Sequence, residues 1–196
     1  EAETKGLEIV TAEAFTSDNK SDLSTQVAKC QQAGAELVFL PIYYTEAAQI
    51  LSYANKIGYA PKFFGCDGMD GILAIEGFDT SLAEGLLLMT PFNASATDER
   101  TASFVSEYQT RYNEIPNQFA ADGYDCIYAI YEACQKAGVT ADMSHEDICA
   151  ALISTFTSSD FSVDGLTGSG MTWAATGEIS KAPLVFEVQD GVYVAR

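Results

Sequence analysis

Histidine is almost missing from this sequence: His145 is the only one in 196 residues. A single imidazole cannot build a histidine-rich metal site, and no nucleophile stands near it for it to activate. With Ser144 before it and Glu146 and Asp147 after it, His145 reads as an exposed residue at a helix start. Cysteine occurs five times, at Cys30, Cys66, Cys126, Cys134 and Cys149, but never as a CxxC pair. An odd number cannot all pair, and Cys126 and Cys134 lie eight apart on one predicted helix, where they cannot bridge. The thiols are expected to be small buried hydrophobes rather than a disulfide framework.

Basic residues are scarce as well. Ten Lys and Arg stand against 28 Asp and Glu, a formal net charge of −18. That charge repels phosphate backbones and anionic lipid surfaces, which argues against nucleic-acid and membrane-surface binding. The acids are dispersed, so their plain role is solubility. No apolar run approaches the ~20 residues of a membrane span, and the chain reads as soluble material. There is no P-loop, no GxGxxG after a strand and no GxSxG. The glycines of GLTGSG at 165–170 sit among turns, and Asp67, Asp70, Asp122 and Asp125 show no spacing that argues for a catalytic pair. Neither an enzyme nor a cofactor or metal is expected.

What the chain does have is alternation. Residues 9–15 (IVTAEAF) read as a strand, and a helix follows from about 22 to 32 with Leu23, Val27 and Cys30 inward. Leu37, Val38, Phe39 and Leu40 form a second apolar run, ended by Pro41. Ala47, Ile50, Leu51, Ala54 and Ile57 then recur at helical spacing up to Gly58, and residues 62–66 make a third strand closed by Asp67-Gly68. A short helix at 73–78 and a strand at 85–89 continue the series. Such alternation implies an α/β fold, a parallel sheet with helices on both faces.

Beyond Pro91 the texture changes to three successive helices. They span about 97–112, capped by Thr97 and with Phe104, Tyr108 and Tyr112 inward, then 118–137, then one beginning at Ser144 with Ile148, Leu152 and Ile153 inward. Three helices in a row have no strand of their own to cover, so they are expected to pack on a sheet this chain does not supply. Residues 184–188 and 192–195, around Asp190-Gly191, read as a terminal hairpin. The opening EAETKGLE lacks the basic start and apolar core of a signal peptide. It reads as the tail of a helix capped by Gly6, so part of the protein is expected upstream.

In an open parallel sheet, ligands bind beyond the carboxyl ends of the strands. Two such ends carry unusual residues: Tyr43 and Tyr44 after the second strand, Asp67 between Gly65 and Gly68 after the third. A tyrosine wall and a lone carboxylate on one rim suit a small cationic or zwitterionic guest. On pattern alone the plainer alternative stands beside it: Asp67-Gly68 as a simple turn and the tyrosines as cover for the sheet.

Taken in order, AEAFTSDNKSDLSTQVAKCQQAGAELVFLPIYYTEAAQIL, FFGCDGMDG, AEGLLLMTPFN, FVSEYQTRYNEIPNQFAADGYDCIYAIYEACQKAG and FSVDGLTGSGMTW with the closing hairpin resemble the type I periplasmic binding proteins. The similarity is to the branched-chain amino-acid (leucine, isoleucine, valine) receptors of ABC transporters, and it covers the C-terminal half of such a receptor. The resemblance implies two α/β lobes joined by a hinge and closing on a small ligand. Residues 1–91 would be the second lobe without its first strand, 92–178 a crossover supplying helices and loops to the first lobe, and 179–196 a hairpin returning to the hinge and second lobe. It further implies that Tyr43 lines the pocket, that Asp67 pairs with the ligand's ammonium, and that Phe119 lies on the first-lobe side of the cleft. Tyr44 and Met69 are implied as contacts for the ligand side chain. The function it implies is a non-enzymatic, extracytoplasmic receptor, in periplasm or on the cell surface, delivering an amino acid to an ABC permease. Its partners would be that permease and the upstream lobe. A ligand-sensing domain or an amide- or urea-binding protein of the same fold is the alternative.

Overall fold

The computed structural model describes residues 2–196, which form two compact units. The first runs to Thr90 and takes up the chain again at Leu184–Arg196, and the second is Pro91–Pro183.

The first unit holds a five-stranded sheet. Leu37–Leu40 (β1), Lys62–Gly65 (β2) and Leu87–Thr90 (β3) pair in parallel in that order. The terminal hairpin, Leu184–Gln189 (β4) and Val192–Ala195 (β5), adds itself antiparallel along β3, so the sheet is mixed. Asp190 and Gly191 both take positive φ, 51° and 75°, which a two-residue hairpin turn with the twist of its strands requires. Helix Ser24–Gln32 (α1) precedes β1, and Tyr44–Lys56 (α2) links β1 to β2. Ala47, Ile50, Leu51 and Ala54 of α2 share one core with Leu88 of β3 and Phe186 of β4. These are the α2 positions whose helical spacing marks an inner stripe.

Several expectations shift. Residues 9–15 form no strand; a strand exists through its neighbour, and the sheet ends at β1. The segment is held instead by side chains: Gln26 Nε2 donates to the Ala14 carbonyl at 3.1 Å, and Lys29 meets Glu13 at 2.9 Å. Leu7, Ile9 and Val10 stay exposed, as do Leu37 and Phe39 of β1. The helix expected at 73–78 is only a 3-10 turn, Ile72–Ala74, followed by another at Thr80–Ala83. Gly77, in the left-handed region at φ 76°, breaks the stretch between them. At the start, Glu3–Lys5 is one 3-10 turn closed by Gly6 in left-handed conformation; the first residue of that expected helix tail lies outside the described residues.

The second unit contains Glu99–Tyr112 (α3), Gln118–Ala137 (α4) and His145–Phe156 (α5). Asp98, rather than Thr97, caps α3, its carboxylate accepting from Thr101 N at 3.0 Å. Ser144 caps α5 as its sequence predicts, with Oγ accepting from Asp147 N at 3.1 Å. Small cores form around Ala133, Phe161 and Met171 and around Phe92, Ala121 and Leu166. Tyr112 and Ile153, expected inside, are exposed. So are Ile127, Ile130 and Tyr131 of α4, opposite the face that buries Ala121, Ala129 and Ala133. All five cysteines are free, and two of them, Cys126 and Cys149, are exposed rather than buried.

Candidate ligand-binding site

The parallel register decides what meets at the rim of the first unit. Leu40 of β1 lies opposite Gly65 of β2, so both strands finish at the same level. Tyr43 stands three residues past the first end and Asp67 two past the second. Pro41 stops β1, and Tyr43, extended at φ −86° and ψ 160°, becomes the N-cap of α2. Asp67 opens a 3-10 turn, Asp67–Met69, with Oδ1 accepting from Gly68 N at 3.0 Å.

Gly68 joins the two sides. A Cβ there would come within 2.7 Å of the Ile42 carbonyl oxygen and 3.3 Å of Tyr43 Cδ1. Only a residue without a side chain lets the Asp67 turn sit so close to the Tyr43 backbone. Tyr43 and Asp67 are both exposed, presenting an aromatic ring and a carboxylate from one rim. Tyr44 is half-buried and packs against the core. Met69 is fully buried, its sulfur filling the place a Cβ on Gly65 would occupy, and so it supports the turn from beneath. Phe119 belongs to the second unit, where it is the second residue of α4 and is partly exposed, just after the Asn117 cap.

Two features escaped the sequence. Glu46, in the first turn of α2, is buried and meets Lys20 Nζ at 2.9 Å, fastening the polar loop before α1 to the start of α2. The hydrogen bond from Lys20 holds the Glu46 carboxyl below its ordinary range. A glutamate three residues after a helix cap is the local signal, but its cation is an exposed lysine from a loop 26 positions earlier. The other feature is Asp70, buried one turn past Asp67. Between Gly65 and Asp67, Cys66 is held as the thiol rather than the nucleophilic thiolate: burial pushes its pKa upward, and the Asp67 charge adds to that. The rim offers recognition chemistry, a carboxylate for an ammonium group and an aromatic surface for an apolar one.

The second unit has its own concavity, an open groove of about 890 Å³ between α3 and α4. Phe104, Tyr108 and Tyr124 line it, with Phe104 and Tyr124 in edge contact at 5.1 Å.

Comparison with known families places the chain. Residues 1–192 match the periplasmic binding protein family, and the chain belongs to it. Its fold is that of the type I periplasmic binding proteins. The leucine-binding protein LivK of Thermotoga maritima superposes with a TM-score of 0.73 at 23 % identity, covering 94 % of this chain and 50 % of that one. LivJ of Streptococcus pneumoniae, a branched-chain amino-acid transporter substrate-binding protein in complex with isoleucine, gives 0.74 at 21 % identity, covering 97 % and 53 %. An extracellular ligand-binding receptor of Rhodopseudomonas palustris gives 0.84 at 20 % identity, covering 100 % and 57 %. The chain thus spans about half the length of the structures it matches.

Proposed function

We propose that this chain is part of an extracytoplasmic receptor that binds an amino acid, branched-chain or otherwise apolar, and delivers it to an ABC permease without catalysis. The observation that carries the reading is the Gly68 contact, which brings the turn bearing Asp67 against Ile42 and Tyr43 at the carboxyl ends of paired parallel strands. In this reading Asp67 holds the ammonium group by charge-assisted hydrogen bonds, and Tyr43 covers the apolar part. Tyr44 and Met69 shape the rim from behind. Structural relatives named for leucine binding or solved with isoleucine support the ligand class.

The relatives are about twice as long as this chain, and the remaining length would carry donors for the ligand's carboxylate. The exposed Ile127, Ile130 and Tyr131 of α4 fit a helix face that covers sheet in that other half. Closure of two lobes on the ligand would then be the signal to the permease.

The test is a thermal-shift screen of the full-length receptor against the standard amino acids and simple amides. Stabilisation by leucine, isoleucine or valine supports the proposal. A response confined to uncharged amides, or to no member of the panel, overturns it.

A further inference from the structure

Residues 16–22 (TSDNKSD) form a polar loop, yet the loop is fastened to the first turns of α2, the helix that Tyr43 caps. It first closes on itself, with Thr16 N donating to Asn19 Oδ1 at 2.7 Å. It then meets α2 twice. Lys20 Nζ lies 2.9 Å from Glu46 Oε1. The Gln49 amide, turned so that its nitrogen faces the loop, donates to the Lys20 and Ser21 carbonyls at 3.2 Å each. Glu46 and Gln49 are three residues apart and so share one face of the helix. Leu23, buried in the core, ends the loop. The two members of the ion pair differ in kind. The Lys20 side chain is 54 % accessible and that of Glu46 only 7 %, so the lysine can turn to water at small cost and the glutamate cannot. Among the described residues, no other cation is paired with Glu46.

We propose that Lys20 is a positioning residue for Tyr43, acting through the buried Glu46 carboxylate. Tyr43 is bound into the same turn: its carbonyl accepts from Ala47 N at 3.0 Å, the first hydrogen bond of α2. Ala47 and Ala48, which follow Glu46, are buried in the core. The Glu46 backbone therefore has no freedom to carry its carboxylate outward while the helix stays wound. Without Lys20, the carboxylate reaches water when the first turn opens, and the bond from Ala47 to Tyr43 is the one that breaks. A cap residue released from its helix loses the backbone setting that aims its side chain. Gly68 steadies the Ile42–Tyr43 backbone from the strand side, and Lys20 steadies it from the helix side.

The importance for binding rests on the amino-acid reading above, whereas the tie itself is a property of the first unit. Amide hydrogen exchange and leucine affinity are measured on the full-length receptor carrying Lys20→Met, Lys20→Arg, or Lys20→Met together with Glu46→Gln. Lys20→Met is expected to speed exchange at residues 47–49 about fivefold, with β1, β2 and the Asp67 turn unchanged. Lys20→Arg keeps the parental rates. The double variant exchanges more slowly than Lys20→Met alone, because no buried charge is left unpaired. Leucine affinity falls by a similar factor in Lys20→Met, and falls no further when Tyr43→Ala has already removed the ring. Unchanged exchange at 47–49, a double variant at least as fast as Lys20→Met, or the full affinity loss on the Tyr43→Ala background overturns the proposal. If the unmutated receptor binds no amino acid, the ligand reading falls, and the exchange rates alone decide whether Lys20 holds the turn.

Discussion

Gly68 rests against the carbonyl of Ile42, so close that a Cβ would lie 2.7 Å from that oxygen. The contact couples the turn that carries Asp67 to the strand end that carries Tyr43. Its tightness comes from backbone, which cannot step aside as a flexible side chain can.

Gly68→Ala is therefore expected to destabilise the first unit by about 1–3 kcal/mol, the usual cost of forcing an extra carbon into a packed site. Urea unfolding followed through the first unit checks this. A change within the error of the measurement would mean that the Asp67 turn is free to move and that Tyr43 and Asp67 are not held together.

Asp67→Asn in the full-length receptor is expected to cost about 2–4 kcal/mol in affinity for an amino acid, because a bound ammonium loses its counter-charge. Asp67 is exposed and outside the core, so the melting temperature of the ligand-free protein should barely move. Calorimetry showing unchanged affinity would remove the ammonium assignment.

In the second unit, Asp125 sits buried midway along α4 and accepts from Leu166 N at 2.7 Å, Thr167 N at 2.8 Å and Thr167 Oγ1 at 2.6 Å. Gly165 leaves the space its carboxylate fills. Asp125→Ala strands two buried amides and a hydroxyl, for an expected loss of about 2–4 kcal/mol. Hydrogen exchange should speed first at residues 165–168. If denaturation midpoints coincide for the variant and the parent, the network contributes nothing net.

Glu46 gives a pH dependence of defined sign. Its hydrogen bond from Lys20 holds the carboxyl below its ordinary value of 4.5. The folded chain thus binds that proton more weakly than the unfolded chain. The contribution is full above the ordinary value and is lost as pH falls through the lowered one. Melting temperatures of the parent and Glu46→Gln are expected to differ most above pH 4.5 and to converge on further acidification. Two curves that stay parallel into strong acid would show that the Lys20 pair does not discriminate between folded and unfolded states.

The helices and their partners in the parallel series were legible because their signals are local. The spacing of Ala47, Ile50, Leu51 and Ala54 marks the buried side of α2, and Pro41, Gly138 and Asp190-Gly191 mark ends and turns through their own backbone preferences. The positions of Tyr43 and Asp67 were legible for a similar reason, since each lies within three residues of a strand end that can be read. Residues 9–15 show the limit: their composition suits a strand, but strandedness depends on a neighbour, and no local pattern reports whether one is there.

By itself, then, the sequence determined the five longer helices, the terminal hairpin and which strand ends carry distinctive chemistry, because dihedral preference and apolar spacing act over a few residues. Only the tertiary structure decided what those ends meet. It brought Gly68 onto Ile42, Lys20 onto the buried Glu46, and the Leu166 and Thr167 amides onto Asp125. It also sent Met69 inward under the turn rather than outward to the rim. Such pairings join residues far apart in the chain, and they follow from packing density and the need of buried polar groups for partners, which no window of sequence contains.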